Sequence, residues 1–299
     1  MKKVAIVISA YNQEGLLREC LISLRKTDYK DYKIFLVDDS GSKKIGQKIK
    51  KDFKEIDITT TKGWSGFSKV YNIGAKKALE NYKPDYVLLL NDDTKIINKD
   101  WLNEMVKVGE DDEKIGILGV KLIYPDNSIQ NIGGYIRKWE ITKEMDENKK
   151  DVFEVDHVMG AFMLIKKQVI DKIGLLDEIY NPYLLEDTDY CLRAKEKGFK
   201  IVSVPSIKII HKKGKTIDIK PSPERMAARF KNDIFFSSRH LKGWNRFFRI
   251  FIYLPMVAVF RKSTDEDKLK FKNFKLRKGF LINISLWIRA LVYNLFKIK

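Results

Sequence analysis

Three short, largely apolar runs, each ending in a polar tip, constrain this chain more than any other feature. Val4-Ala5-Ile6-Val7-Ile8 ends at Ser9-Ala10-Tyr11-Asn12, Lys33 to Val37 ends at Asp38-Asp39-Ser40, and Tyr86-Val87-Leu88-Leu89-Leu90 ends at Asn91-Asp92-Asp93. Runs of this kind read as strands buried on both faces, as parallel sheets require. Helical patterns lie between them. Gly15 to Arg25 carries Leu17, Leu21 and Leu24 on one face, Lys43 to Phe53 is helical, and another helix runs from about Ser68 to Asn81. This alternation predicts an α/β fold with a mostly parallel sheet covered by helices. Ligands of such sheets bind beyond the carboxyl ends of the strands. The three polar tips therefore mark one sheet edge as a candidate site.

Residues 126 to 165 are mixed, with a hairpin expected around Gly133-Gly134 and a strand pattern from Gly160 to Ile165. Asp187 or Thr188 is predicted to cap a helix running to about Lys197 and stopped by Gly198. Two short strands follow, Lys200 to Val204 and Ile207 to Ile210, separated by Pro205. A composition of 44% hydrophobic residues is enough for a real core and excludes a disordered chain. The two cysteines, Cys20 and Cys191, lack metal-site spacing and form no disulfide framework. They are expected to be free thiols in a reducing, cytoplasmic setting. No secretory signal is read at the start, and no run of about 20 apolar residues predicts a membrane span.

Four segments carry chemistry. Asn91-Asp92-Asp93 places carboxylates at a strand end, where a hard divalent ion takes carboxylate and phosphate oxygens. Glu186-Asp187-Thr188-Asp189 puts three acids in four residues, more than a helix N-terminus needs, and one is a candidate general base. His211 follows the strand Ile207 to Ile210, a position suited to a metal or phosphate contact. Gly63 to Gly74 offers glycines at the opening of a helix, where a phosphate or sugar approaches backbone N–H groups. It is neither a dinucleotide fingerprint nor a Walker loop.

The order of these segments resembles the family 2 glycosyltransferases, of the GT-A fold, over roughly residues 3–215. Val7 to Asn12 looks like that family's first strand and tip, and Val37-Asp38-Asp39-Ser40-Gly41-Ser42 like its nucleobase-binding segment. Gly63 to Gly74 is similar to its Gly-x-x-Gly…Asn-x-Gly segment, and Leu90 to Thr94 to its Asp-x-Asp metal motif. Gly160 to Ile165 resembles its acceptor-side strand, and Glu186 to Asp189 its catalytic acidic motif. The resemblance implies a GT-A type, Rossmann-like, mixed but mostly parallel sheet flanked by helices, with a C-terminal helical extension. It implies a catalytic domain over residues 1–215, with a nucleotide-sugar half to about 125 and an acceptor half from about 126, and an extension over 216–299. It assigns Ser9, Tyr11, Asp39, Gly66, Asn72 and Asp92 to the nucleotide sugar, Asp187 to general base, and Asp93, His211 and Asn91 to Mn²⁺ or Mg²⁺. Asn91 departs from the motif's first aspartate. An amide oxygen ligates without adding charge, so the direct contact falls on Asp93. The implied reaction is transfer with inversion from a UDP-, dTDP- or GDP-linked sugar to a hydroxyl of a glycan or lipid-linked glycan.

The net charge of +18 is uneven. Residues 1–211 hold 36 basic and 34 acidic residues, whereas residues 212–299 hold 22 and 6. The basic third contains Trp244, Phe247, Phe248, Phe251, Tyr253 and Phe260 beside Arg246, Arg249, Arg261 and Lys262. Further on, Leu281, Ile284, Ile288, Leu291, Leu295 and Ile298 are expected on one helical face, with Asn283, Asn294 and Lys297 on the other. Such segments predict a helix pair lying on an anionic membrane surface, peripheral on its cytoplasmic side. The alternative is packing on the catalytic domain or on a second subunit, giving a homodimer. A nucleic-acid partner is disfavoured, because a carboxylate-lined cleft repels phosphate unless a metal intervenes. A glycoside hydrolase would use two carboxylates without a nucleotide-binding edge. A catalytically silent sugar-binding protein is the remaining alternative.

Overall fold

A computed structural model describes residues 1–212, 223–262, 274–276 and 280–296. The chain divides into two compact units, Met1–Ile136 with Ile141–Asp218, and Arg137–Glu140 with Ile219–Lys299. In chain order the first runs β1 (Val4–Ala10), α1 (Glu14–Leu24), β2 (Tyr32–Asp38), α2 (Lys44–Asp52), β3 (Asp57–Thr60), α3 (Phe67–Asn81), β4 (Tyr86–Asn91), β5 (Thr94–Ile96), α4 (Trp101–Asp111) and β6 (Ile115–Ile123). It continues with β7 (Ile129–Asn131), β8 (Gly134–Arg137), β9 (Glu140–Lys143), β10 (Phe153–Val155), β11 (Phe162–Lys166), α5 (Lys167–Ile173), α6 (Glu186–Glu196) and β12 (Lys200–His211). The β8–β9 hairpin tip counts with the second unit.

The main sheet has the order β10-β12-β6-β11-β4-β1-β2-β3, with β5 beside β12 and β7 beside β6. β1 pairs in parallel with β2 and β4, as β2 does with β3 and β12 with β6. β11 runs antiparallel between β4 and β6. The long strands thus share one direction, except β11. Alternate residues of β1 serve two cores. Val4, Ile6 and Ile8 pack with residues of α1 and α4, while Ala5 and Val7 pack with residues of α3, α5 and α6. A two-residue side-chain period produces this split. Cys20 and Cys191 are free and buried, each on one of these faces.

Two local expectations change. The strands on either side of Pro205 are one strand, β12, with a register irregularity between Val204 and Lys208. A proline has no N–H for the ladder, so it sits where the pairing slips. Helix α6 begins at Glu186 after the non-capping Leu185, so Asp187 and Thr188 lie inside its first turn rather than at its cap.

The second unit holds α7 (Pro223–His240), α8 (Gly243–Phe247), a π-helical turn over Phe248–Tyr253, α9 (Leu254–Val259), the pair β13 (Phe260–Lys262) and β14 (Phe274–Leu276), and α10 (Phe280–Leu295). Met226, Phe230, Ile234, Ile250, Leu254 and Ala290 form its core. Arg249 is buried, paired with Asp233 and donating to the Trp139 carbonyl. The Trp139 ring lies 4.8 Å from Phe248 and 5.0 Å from Tyr253.

Of the two expected faces of α10, the one carrying the asparagines is turned inward. Asn283 and Asn294 are buried, and Leu281, Ile288 and Leu295 are exposed. The amide nitrogens find acceptors inside: Asn283 Nδ2 donates to the Ala258 carbonyl, and Asn294 Nδ2 to those of Lys231 and Ala290, whereas the buried Asn294 Oδ1 receives no hydrogen bond among the described residues. Ile284 and Leu291 do pack inward, with Trp287. Lys297 and Ile298 lie outside the described residues. No helix among the described residues is long and apolar enough to cross a membrane.

Candidate active site

Strand register places the polar tips together. Ser9 stands beside Val37 on one side and Asn91 on the other, and Ala10 beside Asp38. Asp38 is fully buried and spent on the chain itself, accepting from Ser40 and from the Gly46 N–H. Asp39 accepts from Thr61 Oγ1 at 2.6 Å and from the Ser65 N–H at 2.7 Å. It therefore ties the end of β2 to the loop Gly63–Gly66. That loop and the end of β3 line an open hollow of about 550 Å³ with Lys69 and Ile73. The rings of Tyr11 and Trp64 are 6.4 Å apart, and those of Trp64 and Tyr183 6.2 Å.

Gly66 and Asn72 have structural duties in this wall. Gly66 has a φ of +84°, and a Cβ there would come within 2.8 Å of Asn181 Oδ1. Only glycine fits that conformation and approach. Asn72 donates to the Leu176 carbonyl and to Glu178, and accepts from the Leu176 N–H, so both its amide protons are used.

Asp93 and His211 meet at the far side of the β4 tip. His211 Nε2 lies 3.1 Å from Asp93 Oδ1, with both side chains buried. His211 Nδ1 lies 2.5 Å from Gln130 Oε1. With that oxygen as acceptor, Nδ1 carries the proton and Nε2 presents its lone pair to Asp93. Asp93 Oδ1 and Asp92 Oδ2 are buried oxygens that receive no hydrogen bond among the described residues. Burial and the neighbouring Asp93 push the Asp92 carboxyl up to about 8. Asn91 is turned so that Oδ1 accepts from Tyr71, while Nδ2 faces His211 Nε2 at 3.4 Å. Asn91 would ligate only with its amide reversed, an assignment that hydrogen bonding alone decides.

This donor set fits a hard cation. Two ligands in adjacent positions of an octahedral Mg²⁺ or Mn²⁺, each about 2.1 Å from it, stand about 3 Å apart. Asp93 Oδ1 and His211 Nε2 have that separation. No group of three His, Cys, Asp or Glu side chains suited to a metal occurs among the described residues. Ions of this class complete their shells with substrate phosphates and water.

The acidic motif sorts its three members by burial. Glu186 is buried, and burial together with Asp187 raises its carboxyl well above the usual range. Asp189 is fully buried, with Arg193 Nε at 2.8 Å and the Tyr180 hydroxyl at 3.1 Å. Asp187 alone is half-exposed. Its Oδ1 accepts from the Thr188 N–H at 2.7 Å and its Oδ2 from the Gly160 N–H at 2.8 Å. Leu184 and Leu185, just before it, both have positive φ, a conformation that costs free energy for a branched side chain. Residues not singled out from sequence also belong here. Gln130 is one, and buried His157, which feels the charge of Asp187, is another, beside Gly160, already read as the head of the acceptor-side strand. A glycine just before an apolar strand was a visible signal, whereas one glutamine in a mixed segment was none.

Residues 5–174 match the family model described as Glycosyl transferase family 2. The chain belongs to that family. This family 2 chain is 26% identical over 180 residues to the low-salt glycan biosynthesis hexosyltransferase Agl10 of Haloferax volcanii, covering 59% of the chain and 57% of the relative. It is 22% identical over 207 residues to the GalNAc(5)-diNAcBac-PP-undecaprenol beta-1,3-glucosyltransferase of Campylobacter jejuni, covering 67% and 62%. The chain spans between 17% and 62% of the length of the first four curated relatives it matches. Among solved structures, GalNAc-T7 with UDP, GalNAc and Mn²⁺ superposes with a TM-score of 0.58 at 18% identity, covering 71% of this chain and 44% of that one. The family 2 chain therefore has the GT-A fold.

Proposed function

We propose that this chain is an inverting glycosyltransferase that moves a sugar from a nucleoside-diphosphate sugar to a hydroxyl of a glycan or lipid-linked glycan. The observation that carries the reading is the Asp93–His211 pair, held at cation-ligand spacing on the sheet edge that also carries Asp39. Asp39 and the Gly63–Gly66 loop, with Ser9 and Tyr11 beside them, shape the nucleotide end. Asp93 and His211 would hold a divalent ion, which would supply positive charge against the diphosphate.

Asp187 is the base. It takes the proton of the acceptor hydroxyl as that oxygen bonds to the anomeric carbon. The bond from that carbon to the diphosphate oxygen breaks, and the nucleoside diphosphate leaves with the electron pair. The Gly160 and Thr188 N–H groups fix the carboxylate and leave it lone pairs for the incoming proton. Glu186 and Asp189 are less suited, one shut from solvent and the other bound to Arg193.

A lipid-linked acceptor and a membrane-surface setting are favoured by the second unit. Helix α10 turns Leu281, Ile282, Ile288, Val292 and Leu295 outward while burying two asparagines, in a region of net charge +16. An anionic lipid surface satisfies both features. The Campylobacter relative's name specifies an undecaprenol-linked acceptor.

The test is binding and turnover of UDP-, dTDP- and GDP-sugars with Mn²⁺, Mg²⁺ and chelator, with product anomer assigned by NMR. Metal-dependent binding of one donor class and an inverted product support the reading. Retention of configuration, or donor binding indifferent to chelator, overturns the mechanism.

A further inference from the structure

We infer that Gln130 is a positioning residue for the metal ligand His211, a reading that rests on the metal-dependent site proposed above. Gln130 is 2% exposed and lies on β7, the short strand paired with the end of β6. β6 in turn runs parallel to β12, pairing Ile123 with Ile210. The register of β7, β6 and β12 thus delivers an acceptor to the imidazole from the side opposite Asp93.

The geometry gives this contact a consequence. An imidazole has two nitrogens, and a neutral ring ligates through the one without a proton. Gln130 Oε1, 2.5 Å from Nδ1, holds the proton there. Nε2 is left as the ligating atom, 3.1 Å from Asp93 Oδ1. The same bond helps to fix the ring's rotation. Acceptors of this kind behind metal-bound histidines are worth about 10- to 100-fold in metal affinity. The role needs an acceptor at position 130, not merely a side chain of that volume.

Gln130→Met and Gln130→Glu separate these requirements. Methionine keeps the length and removes the acceptor. Glutamate keeps the acceptor and cannot donate. Mn²⁺ affinity of the full chain with UDP is measured from the EPR signal of free Mn²⁺, alongside urea unfolding without metal. The expected result is a fall of about 10- to 100-fold for Gln130→Met with an unfolding midpoint near wild type, and affinity in Gln130→Glu at least that of wild type. A Gln130→Met variant that binds Mn²⁺ like wild type overturns the inference and leaves the metal site standing. So does a loss in Gln130→Glu as large as that in Gln130→Met, which would mean the amide donates to the ring. Failure of wild type itself to bind Mn²⁺ overturns the metal reading, and this one with it.

Discussion

The Gly160 N–H donates to Asp187 Oδ2 at 2.8 Å, and the next residue, Ala161, accepts from the Asn91 N–H at 3.0 Å. Two consecutive residues at the head of β11 therefore hold the candidate base and the proposed metal-binding tip of β4. Positioning of this kind supports catalysis by fixing groups before the reaction rather than during it. Asp187→Asn is expected to keep the Gly160 contact and donor affinity while kcat falls by about 10²- to 10⁴-fold. Near-normal turnover in Asp187→Asn, with loss in Glu186→Gln, would move the base by one residue.

Gly160→Ala tests the coupling itself. A Cβ at this position would lie 2.8 Å from Phe67 Cζ and 3.3 Å from Asp187 Cβ. Overpacking costs about 1–3 kcal/mol, and any relief shifts the base or the wall behind it. Turnover should drop while Mn²⁺ affinity stays, measured by steady-state kinetics and metal titration. Unaltered kcat would show that β11 tolerates movement at its head.

Asp93→Ala is expected to abolish the metal-dependent part of donor binding, and chelator should then have no further effect. Isothermal titration with and without Mn²⁺ measures both. Persistent metal dependence in the variant would place the ion on other ligands.

Much of this arrangement was legible in sequence because strand ends are. An apolar run of five residues reports burial on both faces, and the polar residues after it can only lie at an edge. That logic pointed to Asp39, Asp93 and His211, whereas Asp187 was singled out by three acids crowded into four residues and by the family resemblance. It did not resolve α4 and β6, and it split β12 at Pro205, since a bulge depends on a neighbour's register. Gln130 was silent for the same reason: its value comes from His211, 81 residues away in the chain. Periodicity separated the two faces of α10 but did not say that the one with asparagines would be buried. The backbone carbonyls of Ala258 and Lys231, on neighbouring helices, accept from the amide nitrogens of Asn283 and Asn294.

The Asp189–Arg193 pair should be structural. Its side chains are 0% and 12% exposed, and Arg193 also donates to the carbonyls of Ile173 and Leu175. Removing one partner strands a buried charge, so Asp189→Ala should cost about 3–5 kcal/mol in urea unfolding. A cost below about 1 kcal/mol, the range of exposed pairs, would refute the buried character of this bridge.

Exposed apolar surface on α10 leads to the last expectation. Leu281 and Leu295 are 69% and 70% exposed, and Ile288 and Val292 both 48%. Trp244, Phe247 and Phe251 form a second exposed row, with ring centroids 5.4 and 5.2 Å apart. Each basic residue near an anionic surface adds on the order of 1 kcal/mol, which salt screens, whereas apolar insertion resists salt. Wild type should co-sediment with phosphatidylglycerol vesicles at low salt and partly at high salt. Ile288→Glu with Val292→Glu should remove the salt-resistant part and leave the salt-sensitive part. These positions are exposed, so folding should survive, as circular dichroism would show. Should the double variant bind like wild type, or wild type ignore acidic vesicles, the membrane role of this face is refuted, and a second copy of the chain is the occupant to test by sedimentation. Wild type would then sediment as a dimer and the variant as a monomer.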